Sequence, residues 1–252
     1  GAPLLDPDAN RELFEEQFEI ILKAFNQESF SHRGKHYTLP PEVPYRGYQL
    51  KELTLVPRPA HLPVEVWQPI VSGTPRALDF MAKHGIKGMI LGTAEEYVDR
   101  WVHQYQEANA RHGRHLQLGE NLALGLWCSV DDTHQKAKRA LQPLFEEHVK
   151  FAAPLGMLRY TKEQMEAVGP GGVARHIAAG VDFEEVLEKR AWFAGSPEEM
   201  ITYLKELEER YPGVEQVLIA FPMGATKAQF REQLTRFAKE VMPAFSPQRV
   251  TV

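Results

Sequence analysis

The chain has 252 residues, enough for one large domain or two small ones. With 43 % hydrophobic and 25 % charged residues and a net charge of −5, it reads as an ordinary globular protein without the basic face that a nucleic-acid partner requires. No apolar run approaches the ~20 residues that cross a bilayer, so no membrane partner is expected, and the lone Cys128 reads as a buried thiol in a cytoplasmic protein.

Residues 8–26 carry Phe14, Phe18, Ile21, Leu22 and Phe25 at spacings of three and four, which predicts an amphipathic helix with Asp8 as N-cap. Residues 29–63, rich in Gly and Pro, read as an excursion with short strands at 35–38 and 50–55. An alternation then begins. A strand over 64–72 with Pro69 near its end precedes a helix over 75–84 closed by Gly85. KGMIL at 87–91 is a strand, 94–112 a helix closed by Gly113, and 122–130 a strand. Asp131 or Asp132 caps the next helix, which runs to about Ala153. Residues 156–190 are irregular with helical pieces, an insertion or lid around Gly169-Pro170-Gly171-Gly172, and Trp192–Gly195 is a short extended piece. Ser196-Pro197-Glu198-Glu199 is a helix start with Ser as N-cap and Glu at the third position. That helix ends near Tyr211-Pro212-Gly213, QVLIAF at 216–221 is the last strand, and 226–242 the last helix.

Strands alternating with helices predict a parallel sheet whose members are 64–72, 87–91, 122–130 and 216–221. Four β/α units are half of the eight that close a barrel. The sheet is therefore either open and doubly wound or part of a barrel.

Three stretches resemble one known family. RELFEEQFEIILKAFNQESFSHRGKHYTL is similar to a helix and small hairpin in the middle of bacterial-luciferase-like flavin monooxygenases. PRPAHLPVEVWQPIVSGTPRALDFMAKHGIKGMI resembles that family's fifth strand and helix. GSPEEMITYLKELEERYPGVEQVLIAF, with FAKEVMPAF after it, resembles the helix, eighth strand and last helix. The resemblance implies an α/β fold, a luciferase-like (β/α)₈ barrel of which only the later strands and helices lie in this chain. It makes residues 1–252 a single domain, and implies that roughly 100 or more residues before Gly1 complete the barrel. The activity implied is a flavin-dependent monooxygenase that uses reduced FMN and oxygen on a small organic substrate. The alternatives are a deazaflavin-dependent oxidoreductase, a non-catalytic flavin-binding subunit, or an incomplete fragment. Implied partners are a flavin reductase or the remaining half of the barrel, and a homo-oligomer is expected.

Ser72-Gly73-Thr74-Pro75-Arg76 is the candidate cofactor site. It stands where a strand gives way to a helix, whose first-turn N–H groups and dipole suit a phosphate. Gly73 permits close approach, and Thr74 and Arg76 can bond phosphate oxygens. A simple N-cap by Ser or Thr with Pro75 at the first helical position is the competing account. In the family the flavin phosphate sits at this point. Trp127 or Cys128 should face the barrel interior, since neighbours on a strand point to opposite faces. Cys128 has no base beside it for nucleophilic work. Phe221 and Met223, after the last strand, join Trp127 as the candidate substrate pocket. The ten histidines show no metal-ligand spacing, and no metal site is expected.

Overall fold

The computed structural model describes residues 6–166, 181–220 and 222–245. It forms two compact units, residues 1–66 and 67–252.

In the first unit, α1 (Pro7–Asn26) is capped by Asp6 rather than Asp8. The Asp6 carboxylate accepts the N–H groups of Asp8 and Ala9, and Pro7 occupies a position where no N–H is needed. Four two-residue strands follow: β1 (His32–Arg33) with β2 (Thr38–Leu39), and β3 (Pro44–Tyr45) with β4 (Tyr48–Gln49), each pair antiparallel. The strands expected at 35–38 and 50–55 are thus displaced. Glu16 on α1 accepts the N–H groups of His36 and Tyr37, at 2.9 and 2.8 Å, and binds His32 Nε2 at 3.0 Å. This holds 34–37 as the turn itself. The second hairpin turns on Arg46 and Gly47, both with positive φ, as a two-residue hairpin requires.

The second unit is the parallel sheet and its helices. In order come β5 (Trp67–Pro69), α2 (Pro75–His84), β6 (Lys87–Leu91), α3 (Glu95–Arg111), β7 (Leu122–Val130) and α4 (His134–Ala152). Then follow α5 (Lys162–Glu166), α6 (Phe183–Glu188), β8 (Trp192–Gly195), α7 (Pro197–Arg210), β9 (Gln216–Ala220) and α8 (Lys227–Arg236). A π-turn over Phe237–Val241 and a 3₁₀ turn over Met242–Phe245 end the described chain, where the sequence pattern had one continuous helix. The strand expected over 64–72 is only three residues long and ends at Pro69, though the next N–H, of Ile70, still bonds the Met89 carbonyl at 2.8 Å. Thr133, not Asp131 or Asp132, caps α4: its hydroxyl accepts the Lys136 N–H, while the Asp131 N–H is still engaged in the sheet with Gly195. The Ser196 capping box of α7 forms as expected.

β5, β6, β7 and β9 are parallel neighbours in that order, and β8 also pairs with β7. Ala123, Leu124 and Gly125 are paired on both sides, with β6 and with β9, and Trp127 with both β8 and β9. A strand has two edges, so β6 and β8 share one edge of β7, end to end, and β9 holds the other. Beyond β9 the α8 residue Gln233 stands in for a strand: its side-chain amide accepts the Val130 N–H at 2.8 Å and donates to the Val130 carbonyl at 2.9 Å. Among the described residues β5 pairs only with β6, and β9 only with β7.

The two faces of the sheet differ. Ile70, Ile90, Leu122, Leu124, Leu126, Cys128 and Val130, which alternation puts on one face, are all buried. On the other face β7 presents the small Ala123, Gly125 and Ser129, interrupted by Trp127. There the flanking Leu91 and Leu218 stay 43 % and 36 % exposed, and Val71, just past β5, is 50 % exposed. No helix among the described residues is long and apolar enough to cross a membrane, and no group of three or more potential metal ligands occurs among them.

Candidate functional site

Both candidate regions lie at the carboxyl ends of the parallel strands, where open sheets and barrels expose backbone between strand and helix. The first is the turn from β5 to α2. Gly73 has φ of +57°, and a Cβ there would run into the Trp101 indole, so packing demands glycine whatever else binds. Thr74 stands at the N-cap of α2 with extended backbone, yet its hydroxyl makes no capping bond. The helical ladder opens with Leu78 N–H to Thr74 C=O, so the amides of Arg76 and Ala77 precede it. The simple capping account thus holds in position, with Thr74 at the N-cap and Pro75 at the first helical position, but without a side-chain bond. Ser72 and Gly73 border a cavity of about 480 Å³ together with Arg100, Trp101, Gln104 and Lys162. The side-chain oxygen of Gln104 is buried without a hydrogen-bond partner. Thr74 and the exposed Arg76 lie beside this cavity's wall in sequence but do not line it. Arg100, Gln104 and Lys162 carried no sequence signal, because they come from α3 and α5.

The second region is a cavity of about 360 Å³ over the open face of the sheet. Val71, Met89, Leu91, Trp127, Met157 and Leu218 make its apolar wall, and Trp101 lines it as well as the first cavity. Trp127 thus takes the interior direction and Cys128 the opposite one, where burial pushes its thiol up to about 12. The polar lining is Thr93, His148, Arg159 and Tyr160. Thr93 donates its hydroxyl to the Arg159 carbonyl at 2.8 Å, tying the 157–160 segment to the end of β6. The Arg159 guanidinium donates to the carbonyls of Gly156 and Leu158 at 2.6 and 2.7 Å, and burial holds it below the usual arginine range. Trp192 Nε1–H donates to Tyr160 Oη at 2.9 Å, and burial raises that phenol.

His148 lies among these rings, 4.9 Å from the Trp127 centroid and 5.2 Å from that of Trp192. It is buried, its Nδ1 has no hydrogen-bond partner, and desolvation lowers its pKa. The available sequence signal was its spacing: with Leu141, Phe145 and Ala152 it falls on the buried stripe of α4, one imidazole among apolar residues. Met223 is 41 % exposed and does not line this cavity; its loop passes α4, where a Cβ on Gly224 would lie 3.3 Å from Glu147. Phe221 lies outside the described residues, as do Gly169-Pro170-Gly171-Gly172.

Solved structures share this fold. The monooxygenase RslO1 from Streptomyces bottropensis superposes with a TM-score of 0.66 at 16 % identity, over 95 % of this chain and 63 % of its own. The oxygenating constituent of 3,6-diketocamphane monooxygenase from the CAM plasmid of Pseudomonas putida, a type II Baeyer-Villiger monooxygenase in complex with FMN, gives 0.62 at 20 % identity, over 94 % and 63 %. The coenzyme F420 dependent tetrahydromethanopterin reductase from Methanopyrus kandleri gives 0.53 at 16 %, over 95 % and 64 %. The chain therefore spans less than two thirds of the length of these structures. Their common fold is the luciferase-like (β/α)₈ barrel, and the parallel sheet and helices of this chain match part of it. No curated protein matches the sequence. The family model described as luciferase-like monooxygenase matches residues 1–213, and with the fold in agreement the chain belongs to that family.

Proposed function

We propose that this chain is the flavin- and substrate-holding part of a monooxygenase that uses reduced FMN and oxygen on a small organic molecule. The observation that carries the reading is the pairing of two unlike cavities at the carboxyl ends of β5–β7, one polar beside a helix N-terminus and one apolar, with Trp101 in the wall of both. The phosphate would rest at Ser72, Gly73, Thr74 and Arg76. Supporting the fit are the Thr74 hydroxyl left without a capping bond and the first-turn amides of α2, both of which can donate to a phosphate oxygen. Reduced flavin supplies the electrons with which oxygen is activated. The chain's own part is to hold the phosphate, lay the ring system and substrate against Trp127, Leu91 and Leu218, and keep water from the reacting atoms.

That β5 and β9 each pair on one edge only among the described residues, and that Val71, Leu91 and Leu218 are exposed, supports a further length of barrel closing over this face. A reductase delivering reduced flavin and a homo-oligomeric assembly complete the proposal. Arg76→Ala should weaken FMN about tenfold, roughly 1.4 kcal/mol for one lost charged bond, and leave riboflavin, which has no phosphate, unchanged. Equal losses for both ligands would remove Arg76 from the phosphate site. Oxygen uptake with reduced FMN supports the monooxygenase. Hydride transfer from reduced F420 without oxygen uptake would favour the deazaflavin alternative, and flavin binding without turnover a non-catalytic subunit.

A further inference from the structure

The apolar cavity holds a feature that flavin binding at the β5–α2 turn does not use. His148 is nine-tenths buried on α4, packed beside the stacked pair Trp127 and Trp192, and its Nδ1 has no partner. Buried polar atoms are almost always hydrogen-bonded, because leaving one bare costs the water it gave up. No hydrogen bond from Nδ1 fixes this ring, which meets Trp127 at a tilt and Trp192 edge-on. His148 lines the cavity, and turning its ring to bring a nitrogen to an occupant breaks no protein bond at Nδ1. Around it the wall is hydrocarbon and aromatic, with the Arg159 guanidinium as the charged group and the Tyr160 phenol already engaged by Trp192.

From this arrangement we infer that the cavity binds an aromatic molecule bearing a hydroxyl group, and that His148 is the side chain that recognises the hydroxyl. The ring of such a ligand stacks or packs on Trp127 and against Leu91 and Leu218. Its hydroxyl donates to the imidazole, and its oxygen lone pairs face the positive Arg159 side of the wall. A purely hydrocarbon ligand fills the same space but leaves the imidazole unsatisfied, so it binds more weakly. This inference deepens the monooxygenase reading by naming the substrate class, and it rests on that reading for the use made of the bound molecule. The binding selectivity itself does not depend on flavin.

The test compares 2-naphthol with naphthalene, which share a ring system and differ in one hydroxyl, by calorimetric titration of the whole chain. 2-Naphthol should bind at least tenfold more tightly than naphthalene. His148→Phe, which keeps an aromatic ring and deletes both nitrogens, should bring the two ligands within about twofold, while His148→Gln should keep much of the preference. In the ¹⁵N-labelled protein the imidazole resonance assigned to His148, by its loss in His148→Gln, should shift with 2-naphthol and stay in place with naphthalene. Equal affinities in the unmodified chain, a preference that survives His148→Phe, or an unmoved imidazole resonance would each overturn the inference, and the last holds even where the Phe variant fails to fold. FMN affinity is measured alongside. Naphthol selectivity without FMN binding would defeat the flavin reading and leave this one standing, and FMN binding without selectivity would do the reverse.

Discussion

The two faces of the same sheet are built to opposite rules. On one face every alternate residue of β7, from Leu122 through Val130, is large or medium-sized, apolar and buried. On the other face β7 carries Ala123, Gly125 and Ser129, and its one large residue, Trp127, lines a cavity with exposed Leu91 and Leu218. The small residues let neighbouring side chains lean across: a Cβ at Gly125 would meet Leu91. One strand thus carries a face of large packed side chains and a face of small buried residues with Trp127 on a cavity. The lesson is that an alternating strand in a parallel sheet separates stability from function at a spacing of one residue.

The largest effects should come from trying to equalise these faces. Leu124→Ala on the closed face, where the side chain is 3 % exposed, should cost about 3 kcal/mol in denaturant unfolding. Leu218→Ala on the open face should cost less than ~1 kcal/mol, because much of that side chain is already in water. Comparable costs would mean that the open face is covered in solution. Next in size is Gly92→Ala at the rim. Gly92 has φ of +55°, and a Cβ would strike the Trp127 indole, so a loss of about 2 kcal/mol is expected along with a displaced Trp127 emission spectrum. A silent substitution would show that Trp127 is free to move.

A smaller, pH-dependent effect should come from His148. Its folded pKa lies below the ordinary 6.5 because burial disfavours the imidazolium. The groups sharing its cavity wall are the cationic Arg159 and the neutral phenol of Tyr160, while β7 and β8 present Trp127 and Trp192, which do not titrate. Below 6.5 the unfolded chain binds a proton that the folded chain refuses, so stability falls as pH falls through that value. Melting temperature measured across this range should decline less steeply for His148→Gln than for the unmodified chain, and parallel declines would take His148 out of the account. The smallest effect belongs to the closed face. With its thiol pushed up to about 12, Cys128 should not react with a thiol reagent at neutral pH until the chain unfolds. Prompt labelling of the native protein would show that this face opens.

Much of the architecture was legible before any coordinates. KGMIL at 87–91 and LALGLWCSV at 122–130 are strands to the residue, because bounded runs of apolar and β-favouring side chains have no better way to hide both faces. Ser196-Pro197-Glu198-Glu199 specified its own capping box, since every partner lies within four residues. Local signals failed where the partner was remote. Asp8 and Asp132 lost their capping roles to neighbours whose carboxylate or hydroxyl reaches the helix amides, and the hairpin turn is set by Glu16, some twenty residues earlier. Of the residues the sequence singled out, Ser72 and Gly73 border the first cavity and Trp127 the second, while Thr74, Arg76 and Met223 line neither.

The sequence did not reach His148, Arg159, Gln104 or the second pairing of β7 with β8. By itself the sequence determined which segments are strands and helices, their parallel alternation and the family resemblance, because periodicity, caps and turns act over a few residues. Only the tertiary structure decided which face of β7 stays open, that Gly73 and Gly92 are glycines for the sake of Trp101 and Trp127, and that an imidazole from α4 meets two indoles over the sheet. Those choices depend on contacts between residues tens of positions apart, and such contacts leave no period in a single sequence.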